Sequence, residues 1–147
     1  MTDTHTAPAQ RAEWIDQLDP SIEELTEVLP AQLHWAVREH FEDLGSSIAE
    51  RGRQDHRDEP RPSLWVEDDY VAGLFVVPVC LEDEDRIYLQ YLRVVIQADR
   101  VITIRTTPQR DGHIDEPFDV AHLTARLNSC ALHTAGMIAY HLVDEIA

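Results

Sequence analysis

Residues 61–107 read R-P-S-L-W-V-E-D-D-Y-V-A-G-L-F-V-V-P-V-C-L-E-D-E-D-R-I-Y-L-Q-Y-L-R-V-V-I-Q-A-D-R-V-I-T-I-R-T-T. Val, Ile, Tyr, Phe, Trp and Thr dominate, and the polar breaks fall at 82–85 and 98–100, which predicts three to four β-strands, near 64–79, 87–97 and 100–106. Residues 94–104 have the shape of a hairpin with Asp99 at its turn, although no Gly is present to favour a primed turn. The run 87–96 alternates imperfectly, with Tyr88, Leu89, Tyr91 and Leu92 all apolar or aromatic. Such a strand is expected to be covered on both faces.

Working back from the sheet, residues 12–17 are expected to form a strand, because Asp19-Pro20 then offers an N-cap and a Pro at the first helical position. A helix over 20–29 would bury Ile22, Leu25, Val28 and Leu29, with Pro30 as its stop. A second helix over 31–44 follows, with Leu33, Val37, Phe41 and Leu44 on one stripe, closed by Gly45. Residues 45–60 carry mixed charge and little apolar content, which fits a loop. Working forward, Pro108, Asp111-Gly112 and Pro117 turn the chain. Residues 118–147 then read as one helix, with Val120, Leu123, Leu127, Ala131, Thr134, Ile138 and Leu142 along one face. The fold class expected is α/β, a mixed β-sheet flanked by helices and ending in a long C-terminal helix.

At 147 residues the chain makes one domain, over 11–147, preceded by a loose tail over 1–10 that lacks the basic and apolar regions of a secretory signal. The closing residues L-V-D-E-I-A hold no Gly, Pro or Asn stop, and Asp144 and Glu145 stand where basic residues would complement a helix end. The last helix therefore reads as truncated. No apolar run approaches the roughly 18 residues of a membrane helix. With 28 acidic and 12 basic side chains the formal charge is −16, which argues against nucleic acid and anionic lipid as partners. Cys80 and Cys130 show no metal or redox spacing and are expected to be buried thiols.

No Gly-rich phosphate loop, H-E-x-x-H or nucleophile with a base is present, and no enzyme activity is expected. His122 and His133 would lie about 16 Å apart along one helix and cannot share a metal. The acidic clusters Glu42-Asp43, Glu67-Asp68-Asp69, 82–85 and Asp115-Glu116 offer hard oxygen ligands of the kind Mg2+ takes. Acidic runs at turns more often serve as solvated edges that discourage strand aggregation. Pro62 fits the head of an edge strand, Arg61 a pairing with nearby acids, and Trp14, Trp35 and Trp65 anchors of the core or an interface.

Three stretches, taken in order, resemble the cytoplasmic domain of CorA-like divalent-cation transporters. They are Trp14-Ile15-Asp16 with Asp19-Pro20 and Glu23-Glu24-Leu25; Arg61-Pro62 with Glu67-Asp68-Asp69-Tyr70 and the strand after it; and M-I-A-Y-H-L-V-D-E-I at 137–146. The resemblance implies a soluble, regulatory domain on the cytoplasmic face of a Mg2+/Co2+ transporter, whose last helix runs on as a stalk to a pore outside this chain. It also implies that Glu42 and Asp43 form half of a divalent-ion site shared between subunits, although a longer insertion precedes Arg61-Pro62 here than in the family. Other subunits of a homopentamer would be the partners, with a monomer or weak dimer expected for this chain alone. No tightly bound cofactor is expected beyond weak Mg2+. A zinc-transporting relative, or a stand-alone acidic protein-binding or metal-buffering domain, is the alternative.

Overall fold

The computed structural model describes residues 11–34, 62–81, 86–110, 113–114, 116–129 and 133–146. Its centre is a five-stranded sheet in the order β1-β5-β4-β3-β2. The strands are β1 (Glu13–Leu18), β2 (Ser63–Val66), β3 (Val71–Leu81), β4 (Arg86–Ile96) and β5 (Arg100–Arg105). Neighbours β2 to β5 pair antiparallel, while β1 lies parallel to β5 with Glu13 opposite Arg100 and Leu18 opposite Arg105. The sheet is therefore mixed, as the sequence implies.

The turns explain the register. Gln97 donates to the Arg100 carbonyl and closes the β4–β5 hairpin around Ala98-Asp99. The span expected as one strand over 64–79 is two. Glu67 donates its N–H to the Tyr70 carbonyl, so the acidic run makes the reversal between β2 and β3. Three successive carboxylates favour a solvated turn over a strand interior. A small second sheet pairs β6 (Gln109–Arg110) with β7 (His113–Ile114), where the sequence suggested only turns.

Pairing fixes which side chains share a face. On one face α1 (Ile22–Val28) and the 3-10 turn Ala31–Leu33 bring Leu25, Leu29 and Leu33 onto Tyr70, Ala72, Val95, Ile102 and Ile104. On the other, α2 (Ala121–Asn128) and α3 (Ala135–Ile146) bring Leu123, Leu127, Ile138 and Leu142 onto Val77, Leu92, Val94 and Val101. Each fully buried Leu or Ile contributes about 1.5–3 kcal/mol relative to exposure. The result is three layers, helix on sheet on helix.

Several expectations change in detail. Ser21, not Asp19, caps α1: its hydroxyl accepts from the Glu24 N–H while the Glu24 carboxylate accepts from the Ser21 N–H, a reciprocal capping box. Asp19 instead adopts a left-handed conformation at φ 49° and turns its carboxylate to the N–H and hydroxyl of Thr107. Ile22 is 39% exposed, because a seven-residue helix has room for only a narrow buried stripe. Of the helix expected over 31–44, the described part opens as the 3-10 turn, and Trp35, Val37, Phe41 and Leu44 lie outside the described residues. The helix expected over 118–147 is divided into α2 and α3, which pack together with Arg126 against Asp144 and His122 near Glu145. Folding back lets the two half-stripes Leu123/Leu127 and Ile138/Leu142 both reach the sheet.

β3 and β4 outrun their neighbours. Among the described residues β2 pairs with β3 only at Val71, Ala72, Gly73 and Leu74, and β5 with β4 only at Leu92 to Ile96, and there the rest of the hairpin continues as a two-stranded ribbon. For this reason β4 is not covered on both faces throughout: Ile87 is 70% exposed and Leu89 49%. Cys80, opposite Ile87, is exposed and not the buried thiol expected. Cys130 lies outside the described residues. Pro62 stands exposed just ahead of the edge strand β2, where its missing N–H costs no ladder bond.

Candidate functional site

The carboxylates singled out from the sequence do not converge where they are described. Glu42, Asp43, residues 82–85 and Asp115 lie outside the described residues. Glu67, Asp68 and Asp69 are exposed on the β2–β3 turn, and Asp69 accepts from the Gln32 side chain at 3.3 Å. Among the described residues no group of three or more His, Cys, Asp or Glu side chains is placed to hold a metal ion. His122 is exposed beside Glu145, and His133 lies between α2 and α3 with its carbonyl 2.6 Å from the Ala12 N–H. Arg61, Trp35 and the side chain of Trp65 are outside the description, while Trp14 packs against the α2/α3 core.

The built polar centre lies elsewhere, along the parallel pair β1 and β5. Register places Trp14, Asp16, Thr103 and Arg105 on the α2/α3 face. The Trp14 indole N–H donates to Thr103 Oγ1 at 3.1 Å, and that hydroxyl donates to Asp16 Oδ1 at 2.7 Å. Arg105 grips the same carboxylate: Nη2 meets Oδ2 at 2.6 Å, and Nε reaches Oδ1 and Oδ2 at 3.0 and 3.1 Å. Its Nη1 donates to the Phe118 carbonyl. Gln90 completes the arrangement, donating to the Glu116 carbonyl at 2.7 Å and accepting from the Phe118 N–H at 2.6 Å.

This network joins β1, β5 and β4 to the segment that enters α2. All three nitrogens of the Arg105 fork are engaged, and the carboxylate accepts from three donor atoms, Thr103 Oγ1 and Arg105 Nε and Nη2, so the pair is spent chiefly on holding the fold. Its chemistry is positioning. The sequence holds a faint signal for it, an Asp inside an apolar-periodic strand and an Arg closing another, but the partnership of residues 89 positions apart becomes visible only in the register.

Arg93 contrasts with Arg105. It shares the α1 face with Leu74 and Ile104, and among the described residues it donates only to Thr106 Oγ1 at 3.3 Å and meets no carboxylate; its Nε is enclosed without a hydrogen bond. Burial lowers its pKa below the ordinary guanidinium value.

The architecture defines an α/β domain built on a mixed sheet with one parallel and three antiparallel joins. Among solved structures that share it is that of the full-length CmaX protein, with a TM-score of 0.58 and 17% identity over 92% of this chain. The likeness is one of fold, and the chain spans 36% of the length of that protein. No protein-family profile and no curated protein matches the sequence. Among the described residues no helix is long and apolar enough to cross a membrane.

Proposed function

We propose that this chain is the cytoplasmic, regulatory domain of a CorA-like Mg2+/Co2+ transporter whose pore lies outside it, and that its likeness to CmaX reflects membership of one group. The observation that carries the reading is the extent of that likeness: nearly all of this chain corresponds to about a third of CmaX, as a domain joined to further structure would. The three stretches that resemble the family support it. They fall in β1 and α1, in the β2–β3 turn, and in α3, all packed on one sheet.

On this reading the domain performs no catalysis. Glu42 and Asp43 supply half of an inter-subunit divalent-ion site, completed by a neighbouring subunit of a homopentamer. Ion choice is made in the pore.

The open reading frame provides the first test. Beyond residue 147 it is expected to encode two apolar runs of roughly 20 residues each. A stop codon at 148 would overturn the proposal. The second test is transport: the whole gene product, reconstituted in vesicles, should admit Mg2+ or Co2+, and vesicles that remain closed to both would count against it.

A further inference from the structure

Where β1 begins and β4 turns into β5, the α2/α3 face carries an open pocket of about 500 Å³ whose lining includes Arg11, Glu13, Trp14, Asp99, Leu127, His133 and Ile138. Leu127 and Ile138 are buried and give it an apolar floor. The Trp14 N–H is already taken by Thr103, so the indole offers its apolar face alone. Arg11 is exposed, and among the described residues the Asp99 carboxylate meets only Arg100 at 3.9 Å, too far for a hydrogen bond.

His133 decides the chemistry. Its Nδ1 is enclosed with no hydrogen-bond partner. An enclosed ring nitrogen in that position costs less as a bare lone pair than as an orphaned N–H, which places the proton of the neutral ring on Nε2. Nε2 is therefore a donor awaiting an acceptor. A cationic side chain, a ring N–H donor, the two carboxylates of Glu13 and Asp99 and an apolar floor thus meet in one pocket. A simple anion would be repelled by a chain of charge −16, whereas a ligand with no net charge would not.

We infer that this pocket binds a small zwitterion of the α-amino-acid type with an apolar side chain. The ligand carboxylate meets Arg11 and the His133 Nε2–H, its ammonium meets Asp99, and its side chain lies over Trp14, Leu127 and Ile138. The pocket is independent of the transporter reading and uses none of the carboxylates invoked there.

The test is an NMR titration of the 15N-labelled chain, following the Trp14 indole and His133 ring signals, with three probes taken to millimolar concentration. L-leucine carries both charges, leucinamide lacks the carboxylate and 4-methylpentanoate lacks the ammonium. L-leucine is expected to shift both signals saturably and each analogue to bind about tenfold more weakly, equivalent to about 1.4 kcal/mol. His133→Phe, which keeps a ring and removes the donor, should weaken L-leucine about tenfold. Absence of a saturable shift, an equal response to all three probes, or undiminished binding in the variant would overturn the inference. Should the variant fail to fold, the analogue series decides alone.

Discussion

Two arginines separate what a buried cation does with and without its counter-charge. Arg105 and Asp16 form a nearly enclosed fork, so Asp16→Ala strands a guanidinium and the Thr103 hydroxyl at once. A loss of about 3 kcal/mol in urea unfolding is expected, at the low end for a broken buried pair because some solvent reaches both groups. Arg126→Ala, at a pair open to water on α2 and α3, should leave the urea midpoint unmoved. Arg93→Met works in the opposite sense. The folded state lowers the Arg93 pKa through desolvation, so the charged form is penalised at all pH values below that pKa, and the penalty lifts only as pH rises through it. Removing the charge while keeping an apolar stem beside Leu74 and Ile104 should stabilise the fold by about 1 kcal/mol at neutral pH. A lower urea midpoint for this variant would show that Arg93 holds a favourable partner.

Among the elements, those read from the sequence with least error are those whose signal is local. β4 and β5 carry β-branched residues around a short polar break, and the hairpin forms there. α1 was legible in place but not in its start, because Asp19-Pro20 and Ser21 each satisfy a capping rule and only the reciprocal bond to Glu24 selects Ser21. Ser21→Ala should accordingly cost about 1 kcal/mol and show as faster amide exchange in the first turn of α1, whereas unchanged exchange would return the cap to Asp19. The break between α2 and α3 was illegible because Leu123, Leu127, Ile138 and Leu142 keep the phase of one continuous helix, and no Gly or Pro intervenes where the chain turns. The exposure of Cys80 and Ile87 was hidden for another reason. Apolar content reports strand propensity, but cover depends on whether a neighbouring strand extends as far. The candidate site was less legible than the fold, since Asp16 and Gln90 look like ordinary polar interruptions until register supplies their partners.

For the whole molecule, an excess of sixteen negative charges sets the response to ions. Divalent cations should raise the melting temperature slightly by screening that repulsion, with little difference between Mg2+ and Ca2+, and Asp43→Asn should alter the response little, because the half-site proposed for it would lack its partner carboxylates. Calorimetry that found one tight Mg2+ per chain, abolished by Asp43→Asn, would mean that the domain senses metal unaided. The parallel seam between β1 and β5 has a different consequence, for the order of events as the chain is made. β1 is made before β5, and Arg105 lies 89 positions after Asp16, so Asp16 must wait for Arg105 while the β3–β4–β5 meander can assemble from near neighbours. Docking of β1 then belongs after the rate-limiting barrier, and Asp16→Ala should hasten unfolding in stopped-flow mixing while leaving the refolding rate nearly untouched. A nascent chain released before residue 105 would hold its earliest strand without a neighbour, an edge open to aggregation until synthesis supplies the other half.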